Sequence, residues 1–296
     1  MTSASPRVST ARPLDDVRRA EPALARAGVS SPRFDAEELA AHAVGTTRSG
    51  LPGLAQWPAG GFDRFQLLID HRAGRIPLQH LLGRAYFRHL ELVVGPGVFL
   101  PRPETELLVE LVSGDCGPGV TLVDLCAGSG AVGLAVATEH PGTVVHLVEV
   151  DPDAVEWLGR NVAELAPTAR VHPVAVAEFA AVDRIAVDVV TANPPYVPLG
   201  TPVEPEVAYD PALARWGGGD GLDVIREVVA AARLLLRPGG LLALEHDESH
   251  QDSVLELLSD NGFSQIEGHA DLTGRPRFAT GRAPGAPGCA GSGEMP

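Results

Sequence analysis

The chain has 296 residues, 45% of them hydrophobic, and a formal net charge of −15 with arginine as its only strong base. That length is enough for the core of one large or two smaller domains, and no apolar run reaches the ~18 residues a membrane helix needs. Residues 1–84 carry 11 arginines against 8 acids and residues 85–296 carry 12 against 30; so acidic a C-terminal portion suits a protein or small-molecule partner better than a phosphate backbone.

Residues 1–12 and 283–296 are rich in Pro, Gly, Ser and Ala and read as disordered tails. The first of them has basic residues but no apolar segment of the signal-peptide kind, so a cytoplasmic protein with no membrane attachment is expected. Leu14–Ala27, Asp35–Val44 and Phe62–Ala73 carry apolar residues at three- and four-residue spacing, and Ile76–Leu82 could form a further short helix. Together they predict a small all-α bundle over 13–84, with Phe62, Phe65, Leu68 and Ile69 as one core stripe. From Tyr86 the text changes to a hairpin, Tyr86–Val94 with Val98–Leu100, turned at Gly95-Pro96-Gly97. Pro101-Arg102-Pro103-Glu104 breaks out of it into a helix over Thr105–Val112.

Strand and helix then alternate: Val120–Asp124, Ala131–Glu139, Val144–Glu149, Ala154–Leu165, a strand over Arg170–Val176, and Val187–Ala192. After an insert follow helix Val224–Leu236, strand Gly240–Glu245, helix Asp252–Asn261 and strands near Phe263–Glu267 and Arg277–Thr280. Such alternation predicts a doubly wound, mostly parallel α/β sheet. The Gly217–Gly221 stretch reads as a lid or partner-facing loop, and Glu245-His246-Asp247 as distant from any chemistry. Cys116, Cys126 and Cys289 have no metal-ligand spacing, so no metal is expected and the compartment is reducing.

Two places carry chemistry. Val123 to Gly130 reads as a strand ending in a Gly-containing turn that opens a helix, where backbone can approach a ligand and free N–H groups are offered. About twenty residues on, the next strand ends in Glu149, placed to accept the hydroxyls of a ribose. Gly128-Ser129-Gly130-Ala131-Val132-Gly133 also matches the dinucleotide fingerprint, so a nicotinamide oxidoreductase competes with an S-adenosylmethionine methyltransferase. Asp124 just before the loop, and Cys126-Ala127 where the dinucleotide turn needs its first glycine, favour the second.

The other place is Asn193-Pro194-Pro195-Tyr196, directly after a β-branched strand. Two prolines stop the ladder and fix an extended exit at the carboxyl end of a strand, where ligands bind in open α/β sheets. The corner offers acceptor oxygens for the N–H bonds of a planar nitrogen and a ring to cover its face. A Pro-Pro turn with a packed Tyr is the plain alternative. Methyl transfer to nitrogen has a role for such a corner, and hydride transfer has none.

Taken together the residues resemble a known family, the class I protein-(glutamine-N5) methyltransferases that methylate peptide chain release factors. The resemblance runs from about Asp35 to Arg282. It rests on Arg75 to Gly83, Phe87 to Val94, Pro101-Arg102-Pro103-Glu104-Thr105-Glu106, Asp124 to Gly130, Asn193 to Tyr196, Gly218 to Leu222, and Asp271 to Phe278. It implies a class I (Rossmann-like) methyltransferase sheet over 104–282, a β-hairpin linker over 85–103 and an N-terminal helical domain over 13–84 that grips the release factor.

It also implies site residues. Cys126, Ala127, Gly128, Ser129 and Gly130 wrap the methionine part of S-adenosylmethionine and Glu149 holds the ribose, with Asn193 bordering the cofactor. Asn193, Pro194, Pro195 and Tyr196 receive the glutamine, with Asn193, Pro194 and Tyr196 catalytic, and Glu104 lines the substrate pocket. Two departures stand out. The family usually has Gly and Thr where this chain has Cys126 and Ala127. It also has an Asp after the third strand, where Glu178 is the substitute here for the adenine contact. A ribosomal-protein glutamine methyltransferase or a nucleic-acid amino methyltransferase with the same corner is the alternative reading.

Overall fold

The computed structural model describes residues 9–182 and 185–284; the expected tail segments 1–8 and 285–296, with Cys289, lie outside them. Two compact units emerge. One holds the residues up to Arg84 and the segment Val203–Tyr209; the other holds Ala85–Pro202 and the chain from Asp210 onward. No helix among the described residues is long and apolar enough to cross a membrane.

The first unit is helical: α1 (Pro13–Arg26), α2 (Pro32–Val44), α3 (Gly61–Ala73) and α4 (Leu78–Leu82). Proline opens α1 and α2, where its missing N–H costs nothing, and Gly45 ends α2 in the left-handed conformation. Val17, Leu24, Leu39, Leu51, Phe65 and Ile69 form the core with Trp57, whose ring stacks on Phe65 at 5.0 Å. The Trp57 indole donates to buried Asp16 at 2.9 Å, so its polar edge is satisfied. The Val203–Tyr209 segment enters this unit through charge. Arg72, 5% exposed, donates to Asp35 at 2.7 Å and to Glu206 at 3.0 Å, and Arg75 also pairs with Glu206.

The second unit starts with a two-stranded hairpin, β1 (Arg84–Phe87) and β2 (Leu90–Val93). It turns at Arg88-His89, not at Gly95-Pro96-Gly97. Arg88 takes φ 52°, its backbone N–H donates to Glu106 at 2.8 Å, and its guanidinium pairs with Glu139 and Glu110. Gly95 serves a different end: a Cβ there would collide with the Trp157 ring, and the Trp157 indole donates to the Pro96 carbonyl at 3.1 Å.

Beyond the hairpin come α5 (Glu106–Ser113), β3 (Thr121–Leu125), α6 (Ala131–Glu139), β4 (Val144–Val148), α7 (Pro152–Leu165), β5 (Arg170–His172), α8 (Val176–Val182) and β6 (Val187–Ala192). The remainder is α9 (Ala212–Arg215), α10 (Asp223–Leu235), β7 (Leu236–Glu245), α11 (Gln251–Asp260), β8 (Ser264–Ala270) and β9 (Pro276–Arg282). The strand expected over Arg170–Val176 stops at His172, because Pro173 cannot extend the ladder, and Val176 begins a helix instead. Ala283, placed by the sequence reading in the tail, is buried and extends the pairing of β9 with β7 by donating to the Gly240 carbonyl at 2.8 Å.

The sheet runs β5-β4-β3-β6-β7-β9-β8, parallel through β7 and antiparallel at β9 and β8. Its inner strands β3, β4, β6 and β7 bury apolar residues on both faces, as a sheet covered on both sides requires. Alternate residues divide accordingly. Leu122, Leu147, Val189 and Leu241 pack with Leu108, Leu134 and Leu158 on one side; Val123, Val148, Val190 and Leu242 pack with Phe179, Ile225 and Val254 on the other.

Candidate active site

Register builds the site. Leu125 pairs with Val148 on one side and Ala192 on the other, and Ala192 pairs with Leu244. The residues that follow these, Glu149, Cys126 and Asn193, therefore leave the sheet in a row beside Glu245, at about 4.8 Å per strand. The row straddles β3 and β6, where strand order reverses and a crevice opens outside the carboxyl ends.

The loop after β3 is tied at each end. Ala127 N–H donates to the Val148 carbonyl at 3.0 Å, and Gly130, at φ 88°, donates to Ala127 at 2.8 Å and starts α6. Cys126 sits at φ 59°, a conformation that strains a side-chain-bearing residue. Burial first, then nearby carboxylates, push its thiol well above the ordinary range, so it is no nucleophile at neutral pH. Glu149 binds the loop: one carboxylate oxygen accepts from Gly128 at 2.8 Å and the other from Val150 and Asp151. Among the described residues, no heavy atom outside Gly128 and its two chain neighbours lies within 4 Å of where a Gly128 Cβ would stand, so the loop faces open space there.

Asp124 is a brace. It is 2% exposed, accepts from Gly133 at 3.0 Å and from the Thr191 hydroxyl at 2.8 Å, and burial pushes its pKa up to about 7 against those two bonds. Gly133 permits the approach: a Cβ there would clash with Leu147 and press on Asp124.

At the β6 end, Asn193 donates from its amide nitrogen to the Thr105 hydroxyl at 3.2 Å. Thr105 donates to Glu245 at 2.7 Å, and the Tyr196 hydroxyl donates to the other Glu245 oxygen at 3.1 Å. Glu245, expected to lie far from the chemistry, is thus the hub that both corner residues share. It is 2% exposed, and burial raises its pKa to about 7, opposed by its Thr105 and Tyr196 bonds. Burial and that carboxylate push the Tyr196 phenol well up, keeping it protonated.

In Pro101-Arg102-Pro103-Glu104-Thr105-Glu106 the work divides. Arg102 pairs with buried Asp210 at 2.6 Å, Glu106 holds the hairpin turn, and Thr105 serves Asn193, a role the sequence reading missed while favouring Glu104. Glu104 is exposed, with its charge near enough to Glu245 to raise that pKa. The two ends of the Gly217–Gly221 stretch pack against the backbone of the corner, and its tip at Gly219-Asp220 is exposed. A Cβ on Gly217 would stand 2.7 Å from the Pro195 carbonyl, and one on Gly221 would stand 2.5 Å from that of Tyr196. Glu178 sits exposed in the first turn of α8. Val150, directly after Glu149, is 55% exposed.

An acid-terminated strand, a glycine loop before α6 and an amide-proline-aromatic corner, set side by side on a doubly wound sheet, define a class I S-adenosylmethionine-dependent methyltransferase. The fold alone is shared with the 16S rRNA N2 G1207 methyltransferase of Thermus thermophilus, solved with AdoMet and guanosine. That likeness has a TM-score of 0.50 at 22% identity over 68% of this chain and 49% of that one. Residues 17–83 match the PrmC N-terminal domain model and residues 90–207 the methyltransferase small domain. The release factor glutamine methyltransferase of Mycolicibacterium smegmatis is 44% identical over 89% of this chain and 95% of its own. That of Streptomyces coelicolor is 45% identical over 91% and 97%. The chain belongs to the release factor glutamine methyltransferase family.

Proposed function

We propose that this chain methylates the side-chain amide nitrogen, N5, of the glutamine in the Gly-Gly-Gln motif of peptide chain release factors. The observation that carries the reading is the Asn193-Pro194 corner one strand from the Cys126–Gly130 loop, in register with it across β3 and β6. S-adenosylmethionine, when bound, supplies a methyl group on a sulfonium, so the leaving group is already good. The residues present fit it: the open face at Gly128 and the loop Cys126 to Gly130 take its methionine end. Glu149 takes the ribose hydroxyls, Val150 offers an apolar face for the adenine, and Glu178 is an exposed carboxylate further along that side.

An amide nitrogen is a poor nucleophile because its lone pair is delocalised, so the protein's task is alignment with water excluded. The Asn193 side-chain oxygen and the Pro194 carbonyl accept the two N–H bonds of the glutamine amide. They orient the nitrogen and stabilise the positive charge that develops on it. Pro195 and Tyr196 wall the amide plane, and Glu104 faces the incoming peptide. Methyl transfer leaves the amide as a cation, which is acidic enough to lose one N–H proton to water and become the neutral N-methylated amide.

The acidic balance of residues 85–296 speaks against a nucleic-acid substrate, and the cytoplasm, where release factors act, is the compartment. The test is labelled S-adenosylmethionine with release factor carrying the motif glutamine intact or replaced. Label only on the intact protein is expected; no label on it, or label on both, overturns the reading. Asn193→Ala is expected to lower kcat by about 100-fold or more while the cofactor Kd stays within about threefold. Retention of more than a tenth of the wild-type rate removes Asn193 from its role.

A further inference from the structure

We propose that Glu245 and Thr105 form a polarity relay that fixes which end of the Asn193 amide faces the substrate, making both positioning residues for the methyl acceptor. The inference rests on the reading of Asn193 as the acceptor's partner.

Proton count sets the polarity. A threonine hydroxyl has one proton and an ionised carboxylate has none. Thr105 stands 2.7 Å from one Glu245 oxygen, so its proton is committed there. The other Glu245 oxygen is taken by the Tyr196 hydroxyl at 3.1 Å. The Thr105 oxygen can therefore only accept from Asn193, 3.2 Å away, and what it accepts must be the amide N–H. The Asn193 oxygen is left with no partner among the described residues, turned away from Thr105 as an acceptor. That is the polarity needed to receive an N–H, and rotating the amide by half a turn would present a donor to a donor.

The relay depends on the charge of Glu245. With a proton on the oxygen facing Thr105, the carboxyl becomes the donor of that bond. The threonine proton is then released toward Asn193, and the favoured amide orientation reverses. The groups that bear on Glu245 are Arg277 from β9, which favours the ionised form, and Glu104 ahead of α5, which opposes it. Tyr196 stabilises the carboxylate by donating to it, and Asp247 acts on that same phenol. With burial these place the titration at about 7, inside the range where an enzyme is assayed. Mere packing of three side chains would give no such dependence on pH.

Two readouts separate the relay from the substrate assignment. The first needs no substrate. The side-chain amide resonances of Asn193, identified by their loss in Asn193→Ala, are followed by NMR between about pH 6 and about pH 8. In the wild type they should shift with the titration of Glu245; in Glu245→Gln and in Thr105→Val that shift should vanish. The second is kcat on intact release factor. It should rise with pH across the same interval in the wild type, and fall by about 100-fold in Thr105→Val with the cofactor Kd unchanged. Thr105→Ser should recover most of the loss. Because the two residues act as a unit, the double variant should be no slower than the worse single one. Glu245→Gln is nearly isosteric, and Thr105→Val stands alone if it does not fold. Asn193 resonances indifferent to pH, or losses that multiply in the double variant, overturn the relay. A normal NMR titration with no methylation of release factor would instead overturn the substrate.

Discussion

Asp124→Asn is expected to make the protein more stable above neutral pH. Asp124 is 2% exposed, and burial lifts its pKa from 3.8 to about 7. A carboxyl whose folded pKa lies above its unfolded one binds more protons folded than unfolded. Its contribution is therefore fully present below about pH 4 and is lost as pH rises to about 7. The displacement corresponds to about 4 kcal/mol at pH 8. Asparagine can accept from Gly133 as Asp124 does, and donate to the Thr191 hydroxyl, which then gives up its own donated bond. Subtracting that lost bond and some repacking leaves a gain of about 2 kcal/mol at pH 8 and almost none at pH 5. Native-state hydrogen exchange of the β3 and β6 amides at the two pH values, variant against wild type, isolates this group from Glu245, which titrates in the same window. A variant less stable than wild type at pH 8, or a difference that is the same at both pH values, refutes the account of Asp124 as a desolvated brace.

Gly133→Ala should cost about 1–3 kcal/mol through overpacking, since the new methyl would clash with Leu147. Shortening that neighbour in Gly133→Ala/Leu147→Val should restore part of the loss in thermal denaturation, and strict additivity would show that the clash is not the cause. Glu206→Ala removes the acceptor shared by Arg72 and Arg75 and leaves buried Arg72 to Asp35 and the Ile76 carbonyl. A loss of about 1–3 kcal/mol in the helical unit is expected, with faster proteolytic cutting within 203–209; an unchanged cleavage rate would mean the segment is held by something else.

What could be read from the sequence was what backbone chemistry enforces locally. Val187–Ala192 is a run of strand formers closed by two prolines, and nothing distant can make that pair extend a ladder. The glycine loop before α6 and the acid after β4 are likewise decided within a few residues. Tertiary partners decided the rest. The hairpin turns at Arg88 because Glu106, Glu110 and Glu139 meet there, the last 51 residues along the chain. Glycines at 217 and 221 signal flexibility when read alone, and only the folded corner shows that they are there to let backbone meet backbone. Thr105 and Glu245 are 140 residues apart, and neither has a local pattern that announces the other. One clue was available: parallel strands of matched length place their following residues in a row, so the acid ending the strand next to the Asn193 corner belonged beside it.

Three buried acids share a design at this edge of the sheet. Asp124 joins Gly133 to Thr191, Asp210 joins Leu100 and Arg102, and Glu245 joins Thr105 to Tyr196. In each, burial is the largest influence and raises the pKa in spite of the bonds the carboxylate accepts. When these acids are ionised, the bonds they accept do not fully offset desolvation. Each acid, however, holds a segment beside the proposed site: the first turns of α6 just past the Cys126–Gly130 loop, the entry to Thr105, and, through Thr105 and Tyr196, the Asn193 corner. A carboxylate accepting from two segments sets both their distance and the direction of their hydrogen bonds, and an apolar contact sets only the distance. Direction is what the proposed reception of two N–H bonds of one nitrogen at the Asn193 corner requires, so desolvated acids stand where orientation is needed.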